Sequence, residues 1–170
     1  ASGKVFALNE FLTPQGFSSP SKILKRAGIS DLDFISIDVD GMDYYILRDL
    51  DISPKVILIE YNFTFHPNVE FIQSEDPSVN IGASSTAIGK LAIKKGYSIV
   101  HYFTTDLLLV RNDLIESMNL DVINYQEITS DSHSYIGFGY NGEMFSVGNG
   151  KFNGPSCPWE YGIKISPTRF

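Results

Sequence analysis

Two apolar runs in this chain end in acid. Phe34-Ile35-Ser36-Ile37 leads into Asp38-Val39-Asp40-Gly41-Met42-Asp43, and Val56-Ile57-Leu58-Ile59 leads into Glu60-Tyr61-Asn62. In an open parallel sheet, ligands bind beyond the carboxyl ends of the strands, so acids placed there stand where chemistry is done. With the two strands as neighbours, Asp38 and Glu60 share one rim and Asp40 and Asn62 come within reach. Carboxylates clustered with an amide oxygen form a hard-oxygen site for Mg²⁺ or Mn²⁺, which makes Asp38, Glu60 and Asn62 candidate metal ligands. Asp38 and Asp40 are the candidate catalytic pair, since a carboxylate can instead take the proton of a substrate hydroxyl. A plainer reading competes: Asp40 or Asp43 caps the following helix, and Gly41 serves the turn.

Other chemistries associated with Asp-x-Asp-Gly fit less well. A calcium loop counted from Asp38 needs Gly at its sixth position, and here Gly falls at the fourth. The haloacid dehalogenase pattern continues with Thr or Val where this chain has Met42, and its second acidic pair has no counterpart. A sugar-nucleotide glycosyltransferase, holding Mn²⁺ with Asp-x-Asp, stays open. His66, His101 and His133 are too far apart in sequence to suggest a zinc site, and only His66, close to Asn62, is a candidate. No nucleophile elbow, P-loop or Gly-x-Gly-x-x-Gly occurs. Asn62-Phe63-Thr64 matches a glycosylation sequon, a tripeptide common by chance.

The elements that would position these acids can be read from period and punctuation. Ser18-Ser19-Pro20 opens a helix with Ile23, Leu24 and Ala27 on its apolar face and Gly28 as its stop. Met42, Ile46, Leu47 and Leu50 recur at helical spacing between the two acid-tipped strands. Strands apolar on both faces and separated by helices predict a parallel sheet covered on both sides. Residues 62–82 show no period and read as a loop. Ser84-Ser85 caps a helix whose Ala87, Ile88, Leu91 and Ala92 face inward, and Gly96 closes it. Tyr97–Phe103 and Asp106–Val110 are separated by Thr104-Thr105 alone. A link that short cannot make a parallel crossover, so an antiparallel hairpin is expected. After about Asn119 the chain turns rich in Gly, Asn, Ser and Tyr, with Asn141-Gly142 as a hairpin turn. Residues 1–118 therefore read as an α/β domain and 119–170 as a β-rich appendage, with Trp159 and its aromatic neighbours packed rather than binding.

Composition narrows the partners. Thirteen basic against twenty acidic residues give a net charge of −7, and there is no basic stripe, which argues against nucleic acid. No apolar run approaches the roughly 20 residues of a membrane span, and no secretory leader is visible, so a cytoplasmic protein is expected. The single Cys157 excludes an intramolecular disulfide and a multi-thiolate zinc site.

Leu32-Asp33-Phe34-Ile35-Ser36-Ile37-Asp38-Val39-Asp40-Gly41-Met42-Asp43-Tyr44-Tyr45 resembles the FkbM-type, S-adenosylmethionine-dependent methyltransferases, whose hallmark is Asp-Val-Glu/Asp-Gly followed by an acid. The likeness continues through Val56–Asn62, Gly82-Ala83-Ser84, Lys95-Gly96-Tyr97 and Leu109-Val110-Arg111, covering roughly residues 4–115. It implies a partial class I, Rossmann-like sheet that ends in an antiparallel hairpin. On this mapping Val5-Phe6-Ala7-Leu8 is the family's third strand. Strands one and two, with the glycine-rich loop and the ribose-gripping acid, then fall outside the sequence. A fragment is expected, or a sheet completed by another chain or by an N-terminal segment. The resemblance implies S-adenosylmethionine contacts at Asp38 and Asn9 and a hydroxyl acceptor on a sugar or small metabolite. Asp38, Glu60 and Asn62 are similar in placement to the metal ligands of catechol-type O-methyltransferases. A domain of this kind without its glycine loop could also serve as a non-catalytic interaction module.

Overall fold

The computed structural model describes residue 5, residues 7–128 and the backbone of 134–138 and 144–148. Helix α1 (Pro20–Arg26) starts with Pro at its first turn after Ser19, as the sequence predicts, and Gly28 follows it with a positive φ of 71°. Ser19 does not cap through its side chain, however. Its hydroxyl donates back to the Gly16 carbonyl, and α1 buries only Ser21.

Strand β1 (Phe34–Ile37) is followed by α2 (Asp43–Asp49), and β2 (Val56–Glu60) by the long loop, α3 (Ser85–Lys94), β3 (Tyr97–Tyr102) and β4 (Asp106–Arg111). These strands form one mixed sheet of order β1-β2-β4-β3. β1 runs parallel to β2, while β2–β4 and β4–β3 are antiparallel. The molecule is thus α/β, and the short link of Phe103, Thr104 and Thr105 makes the expected hairpin. A short α4 (Asn112–Ile115), a 3-10 turn at Tyr125–Glu127 and an antiparallel pair β5 (Ser134–Phe138) and β6 (Met144–Gly148) complete it. The Asn141-Gly142 turn joining that pair, and Cys157 and Trp159, lie outside the described residues.

One face of the sheet makes the core. Side chains alternate along a strand, and Ile37, Ile57, Ile59, Leu107, Leu109 and Ile99 turn toward Ile46, Leu47, Ile88, Leu91 and Ala92 of α2 and α3. Ser84 caps α3 by accepting the Ala87 N–H. Lys95 holds α2's end, its Nζ donating to the carbonyls of Arg48 and Leu50. The other face is less covered than the sequence predicts: Phe34 is 50% exposed, Ser36 is exposed, and Val56, Leu58 and Leu108 are half-buried. The run beginning at Val5 is not a strand either. Residues 5, 7 and 8 belong to no regular element, with Val5 93% and Leu8 62% exposed. Exposed apolar residues with no partner strand among the described residues do not make a strand.

Candidate functional site

The parallel pairing Ile37↔Ile59 puts the next residues, Asp38 and Glu60, side by side at the carboxyl rim. Glu60 stands opposite Asp106 across the antiparallel ladder. Alternation directs this row away from the face packed by α2 and α3. Asp38 and Asp40 are exposed, and Glu60 is half-buried. Burial, reinforced by the negative charges of Asp43, Asp38, Asp40 and Asp106, pushes the Glu60 carboxyl up to about 7. No basic side chain pairs with Asp38, Asp40 or Glu60 among the described residues.

The turn between β1 and α2 is shaped by Asp43. Its side chain is buried, one oxygen accepting the Val39 N–H and the other the Gly41 N–H, each at 3.0 Å. The capping reading is therefore half right. Asp43 opens α2, but it binds the turn before the helix instead of the helix's own first amides. Burial raises its pKa, opposed by those backbone bonds. Asp40 takes a left-handed φ of 51° and Gly41 a φ of 116°. A Cβ on Gly41 would meet Gln73 Oε1 at 2.8 Å and the Val79 carbonyl at 3.0 Å, so only glycine fits under the loop.

Gln73 is a residue that periodicity could not single out. Buried within the 62–82 loop, it accepts the Ile81 and Gly82 N–H groups at 2.8 and 2.6 Å and donates to the Val79 carbonyl at 2.7 Å. Tyr45 of α2 donates to its backbone carbonyl at 2.6 Å. The loop is thereby fastened over the Asp38–Asp43 turn. Single side-chain bonds of this kind order the long aperiodic segment, and they leave no periodic trace in a sequence.

Asn62 is placed close to the rim but is already engaged. Its Oδ1 accepts both the Thr64 N–H and the Thr64 hydroxyl, and its Nδ2 donates to the Ile81 carbonyl. An amide oxygen with both lone pairs taken has none for a metal ion. Among the described residues no group of three His, Cys, Asp or Glu is disposed to hold one. The donor set at Asp38, Glu60 and Asn62 thus does not fit Mg²⁺ or Mn²⁺ as it stands. Asn9 is exposed in the irregular leading segment and makes no hydrogen bond to the Asp38 rim. His66 accepts the Asn68 N–H on Nδ1 in the exposed loop. At the hairpin tip Tyr61 donates to the Phe103 carbonyl, and His101 lies edge-on to Phe103 with ring centres 4.8 Å apart.

Chemically, the rim offers a proton acceptor tuned near neutrality, flanked by two exposed carboxylates on a constrained turn. Compared with known proteins, the chain matches no family model, no curated protein and no solved structure.

Proposed function

We propose that these residues form the acceptor side of an S-adenosylmethionine-dependent O-methyltransferase. The observation that carries the reading is the common rim: β1 and β2 run parallel and end together in Asp38 and Glu60, beside the Asp40-Gly41 turn. A sheet whose parallel strands finish in an antiparallel hairpin is the architecture that the sequence resemblance implies. Glu60 is the group suited to accept the hydroxyl's proton, because a base works best with a pKa near the working pH. Asp38 and Asp40 orient the acceptor, a sugar or small metabolite, by accepting its remaining hydroxyl hydrogens.

The cofactor, when bound, supplies the electrophilic methyl group. Of the contacts that the resemblance implies, this sequence carries Asp38 and the neighbouring turn. No step is drawn through a metal ion. A second reading is a non-catalytic module that uses the same sheet for interaction.

The test is methyl transfer from labelled S-adenosylmethionine to a panel of hydroxylated acceptors, using the longest natural form of the protein. Transfer is expected there, and Asp38→Asn should lower kcat/KM about 100-fold, near 2.7 kcal/mol in the barrier. Asp38→Asn turnover within about twofold of the parent would remove Asp38 from the machinery. Absence of any cofactor binding by the longest form would leave the interaction module.

A further inference from the structure

We infer that Asp40-Gly41 is a covalent modification site, where the aspartyl linkage isomerises to isoaspartate through a cyclic imide, and that Asp43 sets the rate by holding the attacking nitrogen. The inference concerns the turn itself and holds whether or not the chain transfers methyl groups.

The chemistry needs a side-chain carboxyl one residue before a backbone N–H, with nothing on the next Cα to crowd their approach. Glycine alone supplies that bare Cα, and Asp40-Gly41 is the one Asp-Gly pair in the sequence. The Gly41 nitrogen attacks Cγ of the protonated Asp40 carboxyl. A C–N bond forms, the Cγ–OH bond breaks, and the hydroxyl leaves as water with the proton given up by nitrogen. Water then opens the five-membered imide. Attack at Cγ restores aspartate. Attack at the backbone carbonyl breaks the original peptide bond, so that the chain runs through the side chain and a free α-carboxylate remains. One water is released and one consumed, and no oxidant or reductant takes part.

The fold presents the electrophile and restrains the nucleophile. Asp40 is exposed, and its left-handed φ of 51° is a conformation that residues with a β-carbon seldom adopt. Such a turn persists only where its surroundings hold it. The holder is Asp43, which accepts the Gly41 N–H and the Val39 N–H, on either side of Asp40, at 3.0 Å each. For attack, the Gly41 nitrogen must leave that bond and gather negative charge as its proton departs. It would do so beside a carboxylate that is only 2% exposed, and like charges in dry surroundings repel strongly. The loop adds a second restraint. A Cβ on Gly41 would meet Gln73 Oε1, the Val79 carbonyl and Asn80 Cα, so rotation of this peptide has to displace the loop. Isomerisation is therefore a reaction of the opened turn. Its product does not fit back, because one added backbone carbon moves Gly41 away from both Asp43 and the loop.

The experiment incubates the 170-residue chain near neutral pH, folded and in guanidinium chloride, and follows Asp40 by peptide mapping with electron-transfer fragmentation. Mapping is needed because the isomer has an unchanged mass, and because Asn141, Asn149 and Asn153 each precede glycine and react by a similar route. The folded chain should form isoaspartate at Asp40 about tenfold or more slowly than the unfolded chain. Asp43→Ala, kept below its melting temperature, should come within about threefold of the unfolded rate. Asp38→Asn removes a nearby charge but neither N–H bond, and should stay within about twofold of the parent. Where Asp43→Ala does not fold, Asp43→Asn replaces it; uncharged, with one acceptor for two amides, it should fall between parent and unfolded chain. An unfolded chain without isoaspartate at Asp40, or equal rates in the folded and unfolded parent, would overturn the inference. So would a folded Asp43 variant that isomerises no faster than the parent.

Discussion

Glu60 and Asp43 are both acids in partly or fully dry surroundings, and they answer differently to mutation because only one has hydrogen-bond donors. For Glu60 the folded pKa of about 7 lies above its ordinary 4.5. Between those values the folded chain keeps a proton that the unfolded chain releases, so stability falls as pH rises through that window. Glu60→Gln removes the penalty. Its melting temperature should equal the parent's near pH 4 and exceed it at about pH 8, read by calorimetry at both. A constant difference at the two pH values would show that Glu60 is not titrating there. Asp43 also has a raised pKa, but it accepts two backbone amides that no other group satisfies. Asp43→Ala should therefore cost about 2 kcal/mol of unfolding free energy. Asp38→Ala, at an exposed position five residues earlier, should stay within about 0.5 kcal/mol. Urea titrations of the two variants side by side decide this, and equal losses would mean that Asp43 does not hold the turn.

At the scale of elements, much was legible because punctuation and periodicity coincide. Pro20, Ser84, Gly28 and Gly96 mark helix ends where the structure has them, and Thr104-Thr105 is too short for anything but a hairpin. The rim was legible for the same reason, since a strand register carries Asp38 to Glu60 once β1 and β2 are neighbours. What stayed hidden depends on single side chains meeting across long separations. Asn62 reads as a ligand by residue type, but Thr64 two positions on takes its oxygen. Gln73 reads as loop and proves to be the loop's anchor. Val5 and Leu8 read as strand by composition, yet a strand needs a neighbour, and they have none among the described residues. Gly89 belongs to this class too. In a helix interior Gly→Ala ordinarily stabilises by about 1 kcal/mol. In α3 a Cβ at Gly89 would sit 2.6 Å from Tyr125 Cβ, where the 3-10 turn packs on the helix. Gly89→Ala should instead destabilise by about 1 kcal/mol or more, measured by thermal melting. In a Tyr125→Gly background the Gly89→Ala loss should largely vanish, because the atom that is struck is gone, although Tyr125→Gly itself gives up the packing of its ring.

For the molecule as a whole, the sheet has a strong centre and a weak side. β2 and β4 are each paired on both edges and carry the fully buried Ile57, Ile59, Leu107 and Leu109. β3 has β4 on one edge and the Ile99↔Ile123 bridge on the other, with α3 packed over it. Among the described residues β1 has β2 alone, and a single buried side chain of its four anchors it. Since opening free energy follows buried apolar area and the number of ladders broken, β1 should open with the turn that follows it before the rest unfolds. Native-state hydrogen exchange in low denaturant reads this directly. The amides of Ile35 and Ile37 should exchange through a partial opening with a small denaturant dependence, and those of Ile57, Ile59, Leu107 and Leu109 only through global unfolding. Identical opening energies and slopes for β1 and β2 would mean that the sheet unfolds as one unit. If the slopes differ, the acids at the rim rest partly on the least anchored strand of the sheet. Asp38 hangs from the end of β1 and Glu60 from the end of β2, so fixing β1 also fixes the distance between the two carboxylates. The anchoring of β1 and the geometry of the rim are then one feature of this sheet.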